Sequence, residues 1–102
     1  MKFKPFDSQN FKAYLCNNGV DPITKAYSYL PTMVDLWNQG VRGMKIYEET
    51  AKIHETTAAR VERNCRYALR QLEYYDLNLQ CRGVLSFVAL CAEGMVDLDE
   101  AI

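Results

Sequence analysis

One histidine and one tryptophan are all that this chain of 102 residues carries of those two types, and the shortage of histidine removes most metal and acid–base chemistry at once. His54 has no second histidine near it, no HExxH motif around it and no close cysteine pair to complete a ligand set with Glu48, Glu49 or Glu55. No metal, cofactor or enzymatic activity is therefore expected, and His54 reads as a partly exposed capping or packing residue. The four cysteines, Cys16, Cys65, Cys81 and Cys91, never form a CxxC pair. They read as small buried apolar residues of a reducing compartment. Long apolar runs are missing too. The longest, GVLSFVALC at 83–91, is too short to span a bilayer, and the opening MKFKPFDSQNF has no signal-peptide core, so the expectation is a cytoplasmic protein without membrane contact.

What is present is ordinary globular composition, 49% hydrophobic and 25% charged, with an uneven charge layout. The net charge is -1, but residues 42–70 hold seven Lys or Arg against four Glu, while residues 71–102 hold only Arg82 against six acids. A basic middle and an acidic tail permit a nucleic-acid face in the centre without requiring one. The length suits one domain spanning 1–102.

Periodicity predicts an all-α domain. Asp7 can cap a first helix to about Asn18, with Phe11, Tyr14 and Leu15 as its apolar stripe and Gly19 as its stop. Asp21-Pro22 marks a turn. A helix from about 28 to 38 carries Leu30, Met33, Val34 and Trp37, starting late so that Pro31 falls in its first turn. Trp37 reads as a core anchor rather than a stacking platform. After Gly40 and Gly43, residues Ile46, Tyr47, Thr50, Ala51 and Ile53 fit a short helix to about His54. In the following helix, about 57–76, Val61, Cys65, Ala68, Leu69 and Leu72 share one face, and Arg60, Arg63, Tyr67 and Arg70 share the other. A last helix runs from Val84 to about Glu93. Of Tyr74 and Tyr75, at least one is left for an intermolecular contact, since neighbours on a helix cannot both face inward.

Two helices joined by a short turn, the second exposing arginines, is the arrangement of a helix-turn-helix, here about 45–76. The first helix braces on the backbone while guanidinium groups on the second match guanine O6 and N7. Free amides at Thr57 and Ala58 can hold a phosphate. The bland alternative leaves the same arginines as a solvated helix face.

The run TTAARVERNCRYAL closely resembles the recognition-helix segment of the C-terminal effector domain of the sporulation initiation response regulator (stage 0 sporulation protein A) of endospore-forming Firmicutes. That family writes paired threonines, a small residue, Ser-Arg-Val-Glu-Arg, then an arginine and a histidine. Here stand Thr56, Thr57, Ala58, Ala59, Arg60, Val61, Glu62, Arg63, then Arg66 and Tyr67. The likeness runs collinearly upstream through Gly19-Val20, Lys25 with Tyr27, Tyr29-Leu30, and Tyr47 with Ala51-Lys52, covering about residues 11–70. It implies an all-helical domain that binds double-stranded DNA as a transcription regulator, in a Firmicute, a phage or a mobile element. Carried over, it makes Glu62 and Arg63 the base readers, with Arg60 and Arg66 as phosphate or base-edge contacts. Lys52, Thr57, Tyr67 and Arg70 follow as backbone or secondary contacts. Ala59 stands where the family has serine, and Tyr67 where it has histidine. The family's receiver domain has no counterpart in these residues, so regulation without a phosphorylation switch is expected. Its closing helices help copies meet on DNA, which makes a homodimer an expectation; beyond residue 76 the likeness fades. The alternative function is a small inhibitor or antagonist that keeps the fold and binds a protein, with the acidic C-terminal region or an apolar patch from Tyr74, Tyr75 and 84–91 as its surface.

Overall fold

Apolar side chains occur on nearly every side of AYSYLPTMVDLWN, and a helix that is apolar all round must be covered all round. The computed structural model describes residues 8–77, 79 and 81–94. Within it this stretch is α2 (Ala26–Asn38), between α1 (Ser8–Asn17) and α3 (Met44–Ile53), followed by α4 (Ala58–Tyr75) and α5 (Val84–Ala92). The helix α2 touches each of the other four. Tyr29, Leu30, Met33, Val34 and Leu36 are all buried on it, and one core draws residues from all five helices. Phe11 and Phe87, with ring centroids 6.2 Å apart, join α1 to α5. The Cys65 thiol meets the Met33 thioether at 3.6 Å. No strand occurs among the described residues, and the all-α expectation holds.

Three helices end alike, on a left-handed residue that returns two amides to the last turn. Gly19 and Gly40 do this for α1 and α2, with φ of 92° and 97°. The paired bonds are Val20 to Leu15 and Gly19 to Cys16, then Val41 to Leu36 and Gly40 to Trp37. Glycine suits the position because it has no Cβ to crowd the carbonyl. At the end of α3 the same part is played by Glu55, with φ of 55°.

Some boundaries and environments differ from expectation. The helix α2 begins at Ala26, the Ser28 and Tyr29 amides both bonding the Lys25 carbonyl at 3.0 Å. Pro31 is therefore inside the helix, where it offers no amide to the Tyr27 carbonyl; its buried ring contributes apolar area instead. Cys16 is exposed and Cys81 only half-buried, so the uniform reading of the cysteines holds for Cys65 and Cys91 alone. Ile53, assigned to the apolar side of α3, is 58% exposed. Trp37 is half-buried against the core and roofed by Arg42, whose guanidinium carbon lies 3.8 Å from the ring centroid. The same guanidinium donates to the Trp37 and Val41 carbonyls at 2.6 and 2.9 Å. The expected Asp7 cap and the acidic residues Asp97, Asp99 and Glu100 lie outside the described residues.

Candidate functional site

The connection between α3 and α4 is four residues long, His54 to Thr57, and each has a structural task. Thr56 donates its amide to the Ala51 carbonyl at 2.9 Å and Glu55 to Lys52 at 3.4 Å, closing α3. His54 is held sideways, Nε2 lying 2.8 Å from the Thr32 hydroxyl and its ring edge-on to Tyr29 at 5.0 Å. Thr57 then caps α4: its backbone is extended and its Oγ1 accepts the Arg60 amide at 3.2 Å. Such a cap contributes about 1 kcal/mol. The Thr57 hydroxyl is thus occupied internally.

On α4 the inward stripe is Val61, Cys65, Ala68, Leu69 and Leu72, all buried, as the 3.6-residue period requires. The outward side carries Arg63, Tyr67, Arg70 and Tyr74, all exposed, at spacings of four, three and four that align them along one face. Tyr67 is 53% and Tyr74 74% exposed. The Arg66 and Arg70 guanidinium carbons lie 5.8 and 5.9 Å from the Tyr67 ring centroid, within cation–π reach. Neither Arg63 nor Arg70 forms an ion pair among the described residues. Arg60 is exposed at the start of the helix, where its carbonyl accepts from Asn64 at 2.8 Å.

Glu62 stands apart from this face. Successive residues on a helix point about 100° away from each other, and Glu62 is half-buried beside Tyr47 and Leu69 while Arg63 faces solvent. Its Oε1 lies 3.6 Å from Arg66 Nε, one turn on. The two residues assigned to base reading therefore do not share a direction. Arg66 belongs to both neighbourhoods, touching the Tyr67 side and pairing with Glu62. Lys52, at the end of α3, is exposed and 3.2 Å from Glu49, an i,i+3 surface pair of small energetic weight.

Tyr74, which the sequence offers with Tyr75 only as a candidate intermolecular contact, extends the Arg–Tyr line by a further turn, a continuation that the spacing from Arg63 and Arg70 already carries. Tyr47 is buried on α3 and lines a cleft with Glu62, Arg66 and Arg82; nothing in the pattern marks Arg82 as its neighbour. Burial first, then the nearby Cys65 and Glu62, push the Tyr47 phenol up to about 12, so it stays protonated near neutrality. Among the described residues no group of three His, Cys, Asp or Glu is placed to hold a metal ion, and no helix is long and apolar enough to cross a membrane.

Comparison with protein-family models, curated proteins and solved structures gives no match to this chain.

Proposed function

We propose that this protein binds double-stranded DNA and regulates transcription, with α3 and α4 acting as a helix-turn-helix and α4 entering the major groove. The observation that carries the reading is the line of exposed Arg63 and Arg70, without ion-pair partners among the described residues, on the side of α4 opposite its buried stripe. A guanidinium that no carboxylate holds is available to a guanine edge or a phosphate. The resemblance of residues 56–69 to a family of DNA-binding effector domains supports the same assignment. Arg63 is the base reader on this reading. Arg60, Arg70 and Tyr67 flank it toward the backbone, and Glu62 and Arg66 reach bases only after releasing one another. Lys52 approaches phosphate from the bracing helix, and Thr57 does so through its backbone amide alone.

A second reading is favoured by the tyrosines. Tyr67 and Tyr74 alternate with Arg63 and Arg70, and Tyr and Arg are the residue types that dominate the centres of protein–protein interfaces. A protein antagonist would use this same stripe.

Calorimetric titration with duplexes decides between them. One duplex carries the box preferred by the resembling family, one is scrambled, and each is run with wild type and Arg63→Ala at two salt concentrations. Selective, salt-sensitive binding that Arg63→Ala weakens by about 1–3 kcal/mol supports groove reading. Equal losses on both duplexes remove Arg63 from base reading. Heat from neither duplex at low salt moves the stripe to a protein partner.

A further inference from the structure

A cleft of about 430 Å³ lies between α3, α4 and the start of α5, beside the Arg–Tyr line. It is lined by Tyr47, Glu62, Arg66, Arg82 and Ser86, with the apolar flanks of Leu69 and Val84 between them. Three independent observations meet there.

The first is the uncapped start of α5. Gly83 supplies no side-chain acceptor, and the Phe87 amide donates to the Gly83 carbonyl at 3.0 Å as the helix begins. The amides of Val84, Leu85 and Ser86 have no partner among the described residues. The second is the pair of arginines on its lining, Arg66 from α4 and Arg82 from the approach to α5. The third is Tyr47, only 5% exposed, whose hydroxyl makes no hydrogen bond among the described residues. Among these residues the side-chain atom that is both sealed from solvent and unpartnered is the Thr50 hydroxyl. The Tyr47 hydroxyl is therefore not sealed, and the residue that carries it lines the cleft.

We propose that this cleft binds a phosphoryl group, held by the α5 amides, the Arg66 and Arg82 guanidiniums and the Tyr47 hydroxyl. A helix N-terminus concentrates donors and positive potential on an anion. Guanidiniums on its flank add charge-assisted bonds, and the number of donors suits a tetrahedral oxyanion better than a two-oxygen carboxylate. The Tyr47 phenol remains a donor, since burial holds its proton well into alkaline pH. Glu62 is the resident competitor. Its pair with Arg66 at 3.6 Å is half-exposed and correspondingly weak, so an incoming phosphoryl group takes over Arg66 as Glu62 swings away. The site stands whether or not α4 reads DNA, because the phosphoryl group can come from a nucleic-acid backbone or from a free phosphorylated molecule.

The test is a titration of the ¹⁵N-labelled protein with inorganic phosphate at constant ionic strength, followed by amide shifts. Saturable shifts centred on Val84, Leu85 and Ser86 are expected, about ten-fold weaker in Arg82→Gln and several-fold tighter in Glu62→Gln, as one charge-assisted bond is lost or one competitor removed. Arg82 is exposed, so circular dichroism should find Arg82→Gln folded. Shifts that rise linearly without saturation, or the same binding curve in wild type, Arg82→Gln and Glu62→Gln, overturn the site. Repeating the titration with duplex DNA present separates the sources. Competition assigns the phosphoryl group to the nucleic-acid backbone, and simultaneous binding assigns it to a free phosphorylated ligand. Loss of the Arg63-dependent duplex signal alone would leave the phosphate curve intact, so the two readings fail separately.

Discussion

The Tyr14 hydroxyl donates to Asp76 Oδ2 across 2.8 Å, linking residues 62 positions apart in the chain. It fastens α1 to the residue that terminates α4, where the helix ends on an extended Asp76 backbone. Tyr14→Phe removes the donor and keeps the ring in the core. A loss of about 1–2 kcal/mol is expected, read as a lower urea midpoint with an unchanged slope. A changed slope would mean that the substitution loosens the whole fold rather than one tie.

Gly19 meets two restrictions at once. Its φ is 92°, and a methyl group built on it would overlap the Tyr75 ring. Gly19→Ala should therefore cost about 1–2 kcal/mol from the backbone alone, with the overlap added. Tyr75→Ala in the same chain removes the overlap and leaves the backbone strain. Chemical denaturation of the four proteins should show a double mutant less unstable than the sum of the singles; strict additivity would mean that the ring does not constrain the turn.

Thr50 is fully buried on α3, and its hydroxyl finds no acceptor or donor among the described residues. Valine has nearly the same shape and no hydroxyl to desolvate. Thr50→Val is expected to stabilise by about 1 kcal/mol, which for a domain of this size raises the thermal midpoint by about 4–8 °C. A midpoint that falls would show the hydroxyl to be satisfied in solution.

Alkaline pH should unfold the protein sooner than its neutral stability suggests. Burial raises the Cys65 and Cys91 thiols above their ordinary value of 9.0, and pushes Tyr47 from 10.0 to about 12. Tyr14 is raised as well, by burial and by its bond to Asp76. Above pH 9 the unfolded chain releases protons that the native state retains, so it binds fewer protons and stability falls as pH rises. This stability is complete below pH 9, and is progressively lost as pH passes through the thiol and phenol ranges. Urea titrations at stepped pH check the sign. In the native protein a thiol reagent should meet the exposed Cys16 first, and Cys65 and Cys91 only on unfolding.

Much of the architecture was legible because it rests on period. The buried stripe of α4, Val61, Cys65, Ala68, Leu69 and Leu72, follows from spacing alone, and a hydroxyl cap follows from Thr56 and Thr57 standing just before it, although spacing does not choose between the two and the structure gives the part to Thr57. Phe11, Tyr14 and Leu15 were recoverable in the same way. Pro31 was not, because local propensity forbids it inside a helix while the tertiary gain from its buried ring opposes that rule. The exposure of Cys16 depends on which side of α1 faces α2, and small sulfur side chains carry no signal of that. Arg63 and Arg70 were placed on the open face correctly, and the i,i+4 spacing that joins Glu62 to Arg66 is local as well, whereas the cleft that sets Tyr47 and Arg82 beside them draws on α3 and on the approach to α5. Contacts between distant elements of this kind have no counterpart in the periodicity of one helix.

The guanidinium seated on Trp37 gives the chain a built-in optical gauge. The indole is the only one in 102 residues, and it sits at the corner between α2 and α3 under Arg42, whose two bonds to backbone carbonyls hold it there. Its emission should shift in colour and intensity when that corner opens, while the seven tyrosines absorb at shorter wavelength and several of them lie along α4. Selective excitation of the indole thus separates movement of the α2–α3 corner from events on the α4 surface, with no label added to either.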